Sequence, residues 1–149
     1  MGSQSDHSIM KECEKILTIL KVKYQVLIVS AHRTPKRMFE FADNAAKNGF
    51  AVIVAGAGGS AHLPGMVASL SSLPVVGVPI ESKKLKGLDS LLSIAQMPNG
   101  CPVATMAING SFNAGLLAAS IIGTFDDKVK TNLEKWKRLQ AKSIKKKPK

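Results

Sequence analysis

The segment Ser30-Ala31-His32-Arg33-Thr34-Pro35 sets an imidazole beside a guanidinium, with hydroxyls on either side of the pair. Imidazole is the side chain that gives and takes protons near neutral pH, and a guanidinium forks onto phosphate or carboxylate oxygens. His32 is therefore a candidate acid/base and Arg33 a candidate anion ligand; the alternative is a pair that only ends a strand. A second polar group, Gly2-Ser3-Gln4-Ser5-Asp6, stands directly before an apolar-periodic stretch. Hydroxyls and open backbone N–H groups at a helix N-terminus suit a phosphate, although the segment by itself favours an ordinary helix cap by Ser5 or Asp6. The third group is Ala55-Gly56-Ala57-Gly58-Gly59-Ser60-Ala61-His62-Leu63-Pro64-Gly65. Its first half carries almost no side chains, so the backbone can approach a flat ligand closely. His62 is either a second polar contact there or a capping residue. The Gly-x-Gly pattern lacks the glycine spacing and the acidic residue of a dinucleotide fingerprint.

Other chemistries find little support. His7, His32 and His62 fall at no metal-ligand spacing, and Cys13 and Cys101 stand alone. Cys13 sits on an apolar helix face, where core packing is its expected role. Neither a Gly-x-Ser-x-Gly elbow nor a Walker pattern occurs. Asp89, in Gly87-Leu88-Asp89-Ser90, is expected to cap a helix. No metal and no cofactor are expected.

The elements that must position these groups alternate along the chain. Ile9, Met10, Cys13, Ile16, Leu17 and Leu20 recur at helical spacing. Tyr24–Val29 reads as a strand. Thr34 and Pro35 open a helix as cap and first residue, and Gly49 closes it. Phe50–Val54 is a second strand, Pro64–Leu70 a short helix, and Pro74–Val78 a third strand. Gly87–Gln96 is a helix, Val103–Ile108 a fourth strand, and Phe112–Ile122 and Asp127–Lys142 are the last helices. The strands are continuous apolar runs, the pattern of a parallel sheet covered by helices on both faces. In such doubly wound folds, ligands bind at the carboxyl ends of the strands, where the three polar groups fall.

Composition agrees with one α/β domain. The chain has 149 residues, 45% hydrophobic and 21% charged, enough to bury a core without disulfides. Of the net charge of +11, residues 128–149 supply +9, leaving a nearly neutral body. A basic tail of this kind reads as a solvated end, with salt-sensitive RNA contact as the alternative. Neither an apolar run of membrane-spanning length nor a leader-like start in MGSQSDHS is present, so the expected compartment is the cytoplasm.

At these loops the chain resembles the class I 5-(carboxyamino)imidazole ribonucleotide mutases of bacterial purine biosynthesis. Besides the three groups above, the match runs through Gly77-Val78-Pro79, Asp89-Ser90-Leu91-Leu92-Ser93-Ile94, Gln96-Met97-Pro98, Asn113-Ala114 and Leu116-Leu117-Ala118-Ala119. The resemblance implies a flavodoxin-like three-layer fold over residues 1–124; after it the residues themselves read as a helix over 125–142 and a basic tail over 143–149, where the family's C-terminus is less basic. The resemblance also implies a homo-octamer with active sites shared between subunits. It implies that His32 is the general acid/base and that Ser3, Ser5, Asp6, Ser30, Arg33, Ala57, Gly58, His62 and Leu63 contact the ribonucleotide. The reaction would move a carboxylate from the exocyclic amine to a ring carbon, within IMP biosynthesis. No specific nucleic acid and no membrane would be partners. The family has an apolar strand before its Gly-Ser motif, where this chain has only Met1, so the first strand is expected to be missing. The loop Asn109-Gly110-Ser111-Phe112 is also shorter than the family's usual connection. The alternatives are a carboxylase using free carbon dioxide on the same product and, more distantly, a flavodoxin-like nucleotide binder. Flavin carriers usually stack the ring on loop aromatics, and aromatic residues are only 5% here.

Overall fold

Every buried strand residue has to choose between two helical layers, and in this chain the choice alternates strictly. The computed structural model describes residues 1–147, so the last two residues of the expected basic tail lie outside it. A parallel sheet runs in the order β1 (Ile53–Gly58), β2 (Val75–Ile80), β3 (Ala104–Thr105). β1 and β2 pair from Ile53 opposite Val75 to Gly58 opposite Ile80, and β3 sets Ala104 opposite Val76. After a 3-10 turn at Gln4–Asp6 come α1 (His7–Ile19), α2 (Pro35–Asn44), α3 (Leu63–Leu70), α4 (Leu88–Ala95), α5 (Ser111–Ile122) and α6 (Asp127–Ser143).

One face of the sheet packs Ile53, Ala55, Ala57 and Val75 against Met38 and Ala42 of α2, Leu63 and Val67 of α3, and Ile94 of α4. The other packs Val76, Val78 and Ile80 against Met10 of α1 and Ala114 of α5. Cys13, Ile16 and Leu17 of α1 continue that layer to Ala118 and Ala119 of α5 and to Val129 and Leu133 of α6. All six residues of β2 are buried, which is why its sequence shows no polar alternation. Gly115 lets α1 and α5 meet closely: a Cβ there would run into Ile16 Cγ2 and lie 3.1 Å from Cys13 O. Asp126 caps α6, its carboxylate accepting from Lys128 N and Val129 N. No helix among the described residues is long and apolar enough to cross a membrane.

Element boundaries depart from the sequence reading in ways that pairing explains. The expected strand Phe50–Val54 is displaced to Ile53–Gly58, because partnership with buried β2 outweighs the weak strand preference of alanine and glycine. The expected strand Val103–Ile108 shrinks to two residues at the sheet edge. Beyond them Met106 N still donates to Gly77 O and Asn109 N to Pro79 O, so the chain stays tied to β2. α2 ends at Asn44, and turns carry the chain to Gly49, whose φ of +81° suits glycine.

Tyr24–Val29 is the largest departure. It forms no ladder among the described residues, and Tyr24, Val26, Leu27 and Ile28 are exposed. Between it and the segment 50–55 lies an apolar cavity of about 540 Å³, floored by Cys13, Leu17, Leu63, Val67 and Ala118. Only at the far end is the gap bridged: Met1 N donates to Leu27 O, Val29 N to Met1 O, and Gly2 N to Gly56 O. A strand lying alongside is what gives an extended run its hydrogen bonds, and most of this run has none. Burial pushes the Cys13 thiol in the cavity wall up to about 12, so it stays protonated and packs as a small apolar group.

Candidate active site

The bridge at Met1 and Gly2 brings the three polar groups to one end of the sheet. In the first, Ser3 Oγ accepts from Ser5 N at 3.3 Å and from Ser5 Oγ at 2.9 Å. The capping side chain is thus Ser3, on the 3-10 turn, and neither Ser5 nor Asp6. Asp6 occupies the N-cap position of α1 yet makes no cap bond there. Its carboxyl is buried, and burial raises its pKa above the usual carboxylate value. Hydrogen bonds from Ser3 and Ser5, together with the Met1 amino group and the Arg33 guanidinium, act in the opposite direction.

The second group closes on itself before α2 begins. Thr34 Oγ1 accepts from Ser30 N at 2.9 Å and donates to Ser30 O at 3.2 Å, so it braces the turn and gives α2 no side-chain cap. Ser30 is buried, and its Oγ accepts from both Arg33 N and Arg33 Nε at 3.3 Å. Arg33 Nη2 then donates to Gly2 O at 2.9 Å, stapling the second group to the first. A guanidinium held by its Nε and one Nη at a solvent-facing position presents its remaining donors in a fixed plane.

The third group leaves the sheet at Gly58 and turns at Gly59, with φ +66°. His62 stands at the N-cap position of α3 and makes no cap bond. Its Nδ1 lies 2.8 Å from His32 Nε2, with the rings edge-to-face at 88° and centroids 4.9 Å apart. His62 thus pairs its ring with His32 and does not cap α3. Ala57 and Leu63 bury their side chains in the core, so each can offer a ligand only backbone.

Two polar residues near these loops have roles the sequence reading did not assign. Ser90 is fully buried and links the third group to β2. Asn109, with φ +60°, accepts from Glu81 N through Oδ1 and fixes the connection after β2. The available signal for Ser90 was its spacing: it shares the buried face of α4 with Ile94, where a hydroxyl needs a partner. Asp89 is not the cap of α4. Its Oδ1 accepts from Ser82 Oγ and Ser90 N. Among the described residues, no three His, Cys, Asp or Glu side chains are grouped to hold a metal ion.

A parallel sheet flanked by helices, with polar loops gathered at its carboxyl end, defines a flavodoxin-like α/β protein. The chain belongs to the AIR carboxylase family, whose model matches residues 1–143. It is 54% identical over 144 residues to the N5-carboxyaminoimidazole ribonucleotide mutase of Thermotoga maritima, covering 97% of this chain and 84% of that protein. It is 50% identical to the Escherichia coli K12 protein of the same name, covering 97% and 86%. A chloroplastic phosphoribosylaminoimidazole carboxylase of Vigna aconitifolia is 51% identical over 97% of this chain, which spans 26% of that longer protein. In architecture the chain is similar to Treponema denticola PurE, with a TM-score of 0.85 at 24% identity over 97% of this chain and 90% of that one.

Proposed function

We propose that this chain is an isomerase interconverting N5-carboxyaminoimidazole ribonucleotide and 4-carboxy-5-aminoimidazole ribonucleotide in purine biosynthesis. Relatives bearing the mutase name at 50–54% identity support the reading. The structural observation that carries it is the His32–His62 pair standing beside an Arg33–Ser30–Asp6 cluster. The reaction needs a group that can give a proton and take one back, next to a holder for an anionic nucleotide.

Arg33 and the hydroxyls of Ser3, Ser5 and Ser30 bind the phosphate, and Asp6 accepts from the ribose. Ala57, Gly58 and Leu63 contribute backbone to the flat imidazole. Protonation of the carbamate nitrogen by His32 breaks its bond to the carboxylate, releasing carbon dioxide beside the aminoimidazole. Ring carbon four then attacks carbon dioxide, and His32 takes the ring proton, so the imidazole ends as it began. His62 sets the direction of the pair: whichever nitrogen carries the shared hydrogen fixes which ring presents a donor to the substrate. Holding the two fragments together avoids a bimolecular recombination, and enclosure keeps carbon dioxide from escaping.

One subunit leaves the His32–His62 pair exposed, so neighbours must supply the enclosure. Leu85, Leu88 and Leu92 on and beside α4 are 58%, 51% and 49% exposed, an apolar face suited to a second copy. We read the assembly as a homo-octamer acting in the cytoplasm. The carboxylase named in Vigna aconitifolia keeps a second reading open, in which free carbon dioxide is the co-substrate. Assaying purified protein with N5-carboxyaminoimidazole ribonucleotide, and separately with aminoimidazole ribonucleotide plus bicarbonate, decides between them. Isomerisation at limiting carbon dioxide supports the proposal; turnover only with saturating bicarbonate replaces it with the carboxylase.

A further inference from the structure

We propose that Ser90 is a positioning residue whose hydroxyl is inserted into the β1–β2 ladder, splaying the strand ends and setting where His62 meets His32. The ladder begins with Ile53 N donating to Pro74 O. Donors on β1 recur every second residue in a parallel pair, and the register holds through Gly58 opposite Ile80. The series therefore arrives at Gly59 N and Ile80 O as its next partners. Between those two groups stands Ser90 Oγ, donating to Ile80 O at 2.7 Å and accepting from Gly59 N at 2.8 Å.

A relay of two hydrogen bonds separates the strands where one direct bond would close them. Gly59 turns at that point, and the chain leaving it reaches His62 three residues later. The relay is itself held fast. Ser90 is fully buried, its N–H donates to Asp89 Oδ1, and that oxygen also accepts from Ser82 Oγ. Ser93 and Ser120, by contrast, return their hydroxyls to carbonyls four residues back in their own helices. Ser90 alone of these three spends its hydroxyl across elements, on the strand and loop that border the crevice.

The activity arm of the test rests on the isomerase reading; the structural arms do not. Ser90→Ala should let Gly59 N bond directly to Ile80 O and draw His62 from His32. The expected result is a kcat lower by roughly 10–100-fold with KM changed little, since a misplacement of about 1 Å can cost that much. Nitrogen NMR of the two rings, without substrate, should show their shared hydrogen bond lost in Ser90→Ala and kept in Ser90→Thr, which retains the hydroxyl. A crystal structure of Ser90→Ala with the loop unmoved and the histidines still paired overturns the proposal, whatever the activity. If Ser90→Ala does not fold, Ser90→Cys lengthens the relay and reads the same way. Altered ring signals support the proposal, and unaltered signals with unaltered kcat overturn it. A moved loop in a protein that shows no isomerisation would leave the positioning role intact and count against the isomerase reading only.

Discussion

His32 Nε2 and His62 Nδ1 lie 2.8 Å apart although they come from loops on opposite sides of β1 in sequence. At that separation one nitrogen carries the hydrogen and the other the lone pair, so the dyad is directional. Exchanging the tautomers of both rings reverses the direction without moving either backbone.

Replacing His32 with Asn should therefore remove the transferable proton while keeping a polar side chain of similar reach. Turnover should fall by about 10²–10⁴-fold, the usual contribution of general acid–base catalysis. Ribonucleotide binding, measured calorimetrically, should persist, because Ser3, Asp6 and Arg33 are untouched. Near-normal turnover in His32→Asn would assign the proton to another group.

Arg33→Ala should act first on binding. The guanidinium ties Ser30 Oγ to Gly2 O, and its loss removes a charged partner for phosphate together with that staple. Hydrogen bonds to charged groups contribute about 1.5–3 kcal/mol, so Kd should rise on the order of 10–100-fold. Arg33→Lys should recover only part of this, since an ammonium lacks the planar fork. Equal losses of kcat with no change in Kd would remove Arg33 from the phosphate site.

Asp6 gives the fold a pH dependence of a particular sign. Burial raises its carboxyl pKa above 3.8, so between that value and the raised one the folded chain binds more protons than the unfolded. Stability should then fall as pH rises through this window and level off above it. Asp6→Asn removes that slope, and thermal melts of the two proteins across the carboxylate range should converge at the acid end and separate above it. A wild-type advantage that grows with pH would show the charged form to be the favoured one.

Gly115→Ala tests the α1–α5 contact apart from the site. The added methyl group meets Ile16 Cγ2 and the Cys13 carbonyl, one of them backbone that cannot yield cheaply. Overpacking of this kind costs about 1–3 kcal/mol. Chemical denaturation should show that loss with an unchanged pattern of ligand contacts once folded. No loss would mean that the two helices separate freely.

The helices and the polar loops were readable because each carries a local signature. Met10, Cys13, Ile16 and Leu17 announce a face by spacing alone, and Ser30 through Pro35 announces a strand-to-helix turn by residue type. What could not be read locally is partnership. Tyr24–Val29 has the composition of a strand but no neighbour along most of its length, and nothing in its own residues says so. The ladder of β1 runs on into Ala55–Gly58 only because β2 lies beside it. The meeting of His32 and His62 likewise depends on the single α2–β1 connection between them and on Ser90, whose hydroxyl becomes informative only once its distance to Gly59 and Ile80 is known.

The chain leading into His32 and Arg33 is pinned at its carboxyl end by bonds from three directions. Val29 N is bound to Met1 O, Ser30 N to Thr34 Oγ1, and Arg33 Nη2 to Gly2 O. Hydrogen exchange at the Val29 and Ser30 amides should thus be slow, because releasing them breaks bonds to separate parts of the chain. The position of His32 is therefore inherited from main-chain bonds at Met1 and Gly2 as much as from its own loop.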